Sequence, residues 1–193
     1  MNGPDVRAFN AASRFLVEVV SVIPDVSWDE PGLGEWSIKE LVGHANRAHE
    51  TIVDYLENPQ PEEPAGSPYF DDASIARRGR EAVGRLGTNP AEAVAEKSLE
   101  VIELVSVTEA DATLGSPIRT MTLADYLPSR TTELTVHALD IVRALDLGLE
   151  PPTDALRESL AFALTISMRR HQGLELLMAI TGRDELPEGF SVY

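Results

Sequence analysis

The sequence predicts an all-α protein, a four-helix bundle with additional short helices and long connections. Three observations carry that reading. No stretch sustains the period-2 alternation of a half-buried strand. Several stretches repeat apolar residues at helical spacing, and prolines and glycines cut the chain between them. The 193 residues fit one domain, 1–193, long enough to bury a hydrophobic core without disulfide staples.

The first helix is marked by Phe9, Ala12, Leu16, Val19, Val20 and Ile23 and runs from about residue 4 until Pro24 ends it. A loop with Pro31, Gly32 and Gly34 follows. Ser37-Ile38-Lys39-Glu40 is then a capping box, with Trp36 and Leu41 in the hydrophobic-staple positions. Helix two runs from Ile38 to about Glu57 and buries Ile38, Leu41, Val42, Ala45, Ile52 and Leu56. Asn58 to Pro68 holds four prolines and reads as a surface loop. A third helical stretch, about 72–86, breaks at Gly87. Asn89-Pro90-Ala91-Glu92 restarts the helix with an N-cap, a proline at the first helical position and a glutamate two residues later. Its buried face is Ala91, Val94, Ala95, Val101, Ile102 and Val105. Residues 108–121 are irregular, with one short extended piece. Thr122 begins another N-cap, and Pro128 predicts a kink or a fresh start near Ser129. That helix continues to about Leu147 and stops at Gly148. A last long helix spans about 153–172 and a short one 174–181, and Gly182 opens the tail.

Composition narrows the function classes. There are 32 acidic residues against 16 basic ones, a formal charge of −16, which argues against nucleic acid or an anionic membrane as partner. Arg77, Arg78 and Arg80 form the one dense basic cluster and read as a solvated helix face. The chain has no cysteine, which excludes disulfide scaffolds, Cys-ligated zinc and cysteine nucleophiles. No apolar run reaches 18 residues, and the start Met1-Asn2-Gly3-Pro4-Asp5 lacks a leader pattern, so the expected compartment is the cytoplasm. The basic residues are almost all arginine, with only Lys39 and Lys97 as exceptions, which fits a GC-rich genome or, less well, an acidic Lys-poor halophile.

One helix departs from simple amphipathicity. Leu134, Val136, Ala138, Leu139, Ile141, Val142 and Leu145 surround nearly its whole circumference, yet Glu133, His137 and Asp140 stack along one face. Either that stripe faces solvent as an ordinary helix pair, or it faces the bundle interior and holds a metal, since Glu and His one turn apart can reach the same ion. A metal needs further ligands. His44 and His49 lie about 140° apart on helix two and should not share one ion. Both sit at the margin of its apolar face, and periodicity does not choose between them. His171 falls in register with Leu156, Leu160 and Leu164.

The stretch Trp36-Ser37-Ile38-Lys39-Glu40-Leu41-Val42-Gly43-His44 resembles the tryptophan-to-histidine signature opening helix two in the DinB-like superfamily. More specifically, it resembles the metal-binding domain of the mycothiol-dependent maleylpyruvate isomerases. Arg130 to Ile141 is similar to that family's second signature, with Arg130, Glu133, His137 and Asp140 at the family spacing. Gly182-Arg183, Leu186-Pro187 and Gly189-Phe190 resemble its tail. The resemblance implies His44, Glu133 and His137 as metal ligands and zinc as the metal, in a His₂Glu site with an open position. The donor set would also suit Fe(II) or Ni(II). Asp140 is then a carboxylate behind a ligating imidazole, and Arg130 a partner for that carboxylate or for substrate; either could equally be a structural ion pair.

The resemblance further implies an external thiol, mycothiol, and an actinobacterial setting. A thiol beside a divalent cation ionises at neutral pH and can attack a small electrophile, giving S-transfer if it stays or isomerisation if it leaves. The maleylpyruvate isomerases carry a further C-terminal domain that contributes an arginine, and 193 residues leave no room for it. The expectation is a single-domain transferase or isomerase-like relative with a substrate other than maleylpyruvate. Two other classes stay open: a non-catalytic metal-binding stress or regulatory protein, and a metal-dependent hydrolase. The exposed helix faces leave a homodimer open.

Overall fold

Ser37 shows how local chemistry starts a helix here. Its hydroxyl accepts from the Glu40 amide while the Glu40 carboxylate accepts from the Ser37 amide, and α2 (Ile38–Glu57) runs from that capping box. The computed structural model describes residues 6–59, 72–117 and 119–192. Around α2 stand α1 (Val6–Ser21), α3 (Asp72–Val83), α4 (Pro90–Val107), α5 (Leu123–Leu145), α6 (Thr153–Arg169) and α7 (Gly173–Ile180). The architecture is an all-α, DinB-like bundle. Residues 4 and 5 of the expected first helix and most of the proline loop lie outside the described residues.

Four helices enclose the core. α1 packs on α4 and α5, and α2 packs on the same two from the other side. Phe9, Phe15 and Leu16 from α1 meet Ile38, Leu41 and Ile52 from α2, Val94 and Val101 from α4, and Leu127, Leu134 and Ile141 from α5. α6 lies over α5 and α1, α3 over α2, and α7 over α6. Leu56, Ala91, Ala95 and Ile102 are only half-buried.

α4 begins as the sequence reads, with Asn89 accepting from the Glu92 amide and Pro90 in the first turn. The irregular 108–121 region holds two extended pieces rather than one. β1 (Thr113–Gly115) and β2 (Thr120–Thr122) pair antiparallel, Leu114 opposite Met121. Buried Leu114 seats this hairpin against the core.

Pro128 does not restart the helix. α5 is continuous from its Thr122 cap, with proline inside. The absent amide removes one bond six residues into the helix. The hydroxyls of Ser129, Thr131 and Thr132 return to the carbonyls of Tyr126, Leu127 and Pro128, and Leu127 is anchored in the core. Tertiary packing offsets the cost. The helix ends at Leu145 with Asp146 in the left-handed region (φ 50°), two residues before the expected stop.

Candidate metal centre

α2 and α5 present their polar stripes to one another on the side where Trp36 enters the bundle. His44 sits in the second turn of α2, and Glu133 and His137 are one turn apart in α5. His137 Nε2 is 3.3 Å from Glu133 Oε2, and His44 Nε2 is 3.9 Å from the same oxygen. The two imidazoles meet edge to face at 4.8 Å between centroids. One ligand atom from each residue lies within 4.8 Å of the others, so the three could hold a metal ion.

The donor set tests well against a tetrahedral ion. Ligand bonds of about 2.0–2.1 Å put neighbouring donors about 3.3 Å apart. Glu133 and His137 already meet that spacing, and His44 is a small side-chain movement from it. The far nitrogen of His137 is also provided for, since Nδ1–H donates to Asp140 Oδ2 at 3.1 Å. His44 Nδ1 is buried without a hydrogen-bond partner among the described residues.

Electrostatics divide the metal-free cluster into an ion pair and a neutral ring. Burial pushes the His44 imidazole down to about 4, and the charge on His137 adds to the effect. Burial acts the same way on His137, but hydrogen bonds to Asp140 and Glu133 outweigh it and raise the imidazolium to about 9. For Glu133 burial would raise the carboxyl, yet the His137 hydrogen bond and the Arg130 guanidinium hold it down at about 2. At neutral pH the cluster therefore holds a carboxylate, an imidazolium and a neutral imidazole. The acidic stripe faces α2 at the margin of the core, between the buried and solvated extremes.

Arg130 lies over the Tyr126 ring, 4.8 Å from its centroid, and donates from Nε to Ser129 Oγ. Its charge acts on Glu133 and His44 from there. Trp36 carries a role that the staple pattern alone did not reveal. Its ring lies against His44 with centroids 4.4 Å apart and planes tilted by 35°, and it also meets α3 at Gly79, where an added Cβ would come within 3.1 Å of the indole. The tryptophan-to-histidine spacing was the available signal.

The other two histidines stand apart. His49 is fully buried between α1, α2 and α4. Its Nδ1–H donates to Asn46 Oδ1 at 3.0 Å, so Nε2 accepts from the Ser13 hydroxyl at 2.7 Å. Ser13 in turn accepts from Ser98 at 2.7 Å. His171 lies beyond the end of α6, exposed and with φ 60°.

Among the described residues no helix is long and apolar enough to cross a membrane. No curated protein and no solved structure matches the chain. A family model described as the mycothiol maleylpyruvate isomerase N-terminal domain matches residues 9–142, a span that includes His44, Glu133 and His137. With most of its length under that model, the chain belongs to the mycothiol maleylpyruvate isomerase N-terminal domain family.

Proposed function

We propose that this chain, acting as one unit over residues 1–193, is a metal-dependent enzyme that uses an external low-molecular-weight thiol of the mycothiol kind. Its reaction is S-transfer to a small electrophile, or isomerisation of one. The observation that carries the reading is the convergence of His44, Glu133 and His137 within 4.8 Å, in a chain of a mycothiol-related family that has no sulfur nucleophile of its own.

His44, Glu133 and His137 are the proposed ligands, and zinc is the proposed metal, since two imidazoles and one carboxylate suit it and leave a position open. A divalent cation there lowers the pKa of a thiol brought to it, so that no separate base is needed. The chain's own residues do the rest. Glu133 is already ionised, and His44 is already neutral with a lone pair available. Asp140 fixes the His137 orientation by accepting from Nδ1–H, which leaves Nε2 toward the cluster. Arg130 adds positive charge beside Glu133, where an anionic substrate group would be received. The proposed setting is cytoplasmic, where a thiol cosubstrate stays reduced.

The test joins elemental analysis with thiol-binding calorimetry on wild type, His44→Ala, His137→Ala and His49→Gln. Wild type and His49→Gln should carry a full metal complement, and the other two should lose it. The ligand assignment fails if His44→Ala keeps its metal or if only His49→Gln loses it. A metal-replete wild type that binds no thiol defeats the thiol reading. Turnover of an ester or amide without added thiol would replace it with hydrolysis.

A further inference from the structure

We infer that the outer face of α6 and α7 is a two-fold interface with a second copy of this chain. Leu156, Leu160, Leu164 and Met168 recur every four residues along the exposed side of α6. Leu174, Leu177 and Ile180 continue the apolar surface on α7, and Leu186 follows in the tail. Leu160 is 62% exposed, Ile180 70% and Leu174 71%. α7 has eight residues and buries none of them, although a helix that short is marginal in water unless it packs an apolar face. Inward, α6 fully buries only Ala155, Ser159 and Ser167, with Phe162 and Ile166 half-buried, so Leu156, Leu160, Leu164 and Met168 are left on the outer side.

Area and symmetry choose the occupant. The eight residues leave roughly 800 Å² open, which matches one partner's share of a standard-size interface and exceeds the apolar patch usual on a monomer. The stripe is also self-complementary. About a two-fold axis at Phe162, an antiparallel pair of α6 helices sets Leu156 opposite the partner copy's Met168, and Leu160 opposite its Leu164. Ala161 beside the axis is small and exposed, which lets the helices approach closely. An isologous contact needs this palindromic order of apolar positions.

The absence of cysteine makes the test direct. Sedimentation of the wild type should give twice the 21.0 kDa chain mass, and the Leu160→Glu, Leu164→Glu double variant should give the single mass with unchanged helical circular dichroism. Ala161→Cys should cross-link to its twin under mild oxidation, whereas Glu103→Cys on exposed α4 should not. The cross-link keeps the proposal testable if the double variant fails to fold. A wild type that sediments as monomer at high micromolar concentration overturns it, whether the face stays bare, floats with phosphatidylcholine vesicles or captures another protein. A dimer that survives the double substitution, or one that cross-links equally through Glu103→Cys, overturns it as well.

Discussion

His49 places a titratable ring where only its neutral form is tolerated. Burial is the larger cause of its lowered pKa, about 3, and the Lys97 charge adds to it. In the unfolded chain the same ring titrates near 6.5. As pH falls below 6.5 the unfolded state therefore binds a proton that the folded state refuses. The contribution of His49 is complete above 6.5 and is lost as pH falls toward 3, at up to about 1.4 kcal/mol per unit. Urea unfolding of wild type and His49→Gln at pH 7.5 and pH 5 should show the wild type losing more stability, by about 2 kcal/mol. Equal losses would mean that the ring accepts its proton in place. The same residue marks a limit of sequence reading. On a helical wheel His44 and His49 occupy equivalent margins. What separates them is non-local: Ser13 and Ser98 come from α1 and α4 to satisfy one ring, while Glu133 and His137 come from α5 to meet the other.

At the scale of elements, α3 presses Trp36 onto His44. Gly43 on α2 lets the two helices approach, since a Cβ there would meet the Ala82 and Val83 backbone at 3.2 Å. Gly79 then leaves room for the indole, which also contacts the His44 imidazole. Gly79→Ala should separate two quantities that normally move together. Alanine favours the helix by up to about 1 kcal/mol, which offsets the packing disturbance in overall stability. The displaced indole no longer seats His44, and metal affinity should fall by about tenfold, as for loss of other supporting contacts. Metal titration calorimetry beside thermal unfolding checks this, and an unchanged affinity would remove Trp36 from any role at the site. Elements themselves were legible where their signals are local: Ser37 with Glu40, Asn89 with Pro90 and Glu92, and Gly182 after α7. The fresh start allowed at Pro128 does not occur because a local rule met a helix held on both flanks by buried Leu127 and Leu134, and the 113–122 hairpin is too short for its alternation to register.

For the whole molecule, the proposed ion would tie together α2 and α5, which are joined in the chain only through α3, α4 and the hairpin. A ligand that binds the folded state alone stabilises it by mass action, by about 2.7 kcal/mol at a hundredfold excess over Kd. The unfolded chain competes weakly, because it offers four histidines and no cysteine. Near the transition that free energy amounts to about 5–10 °C for a domain of this length. Wild type titrated with zinc should therefore show a concentration-dependent rise in Tm, and removal of the metal by chelation should reverse it. Hydrogen exchange should slow in α2 and α5 and stay unchanged in α7, which packs on α6 and carries no residue of the cluster. His137→Ala should abolish both effects, and its metal-free Tm should itself fall, since Glu133 and Asp140 lose the imidazolium between them. A rise in Tm that persists in His137→Ala would place the ion elsewhere. Protection spreading to α7 would mean that the C-terminal pair responds to the ion through the core helices rather than standing apart as a separate, outward-facing surface.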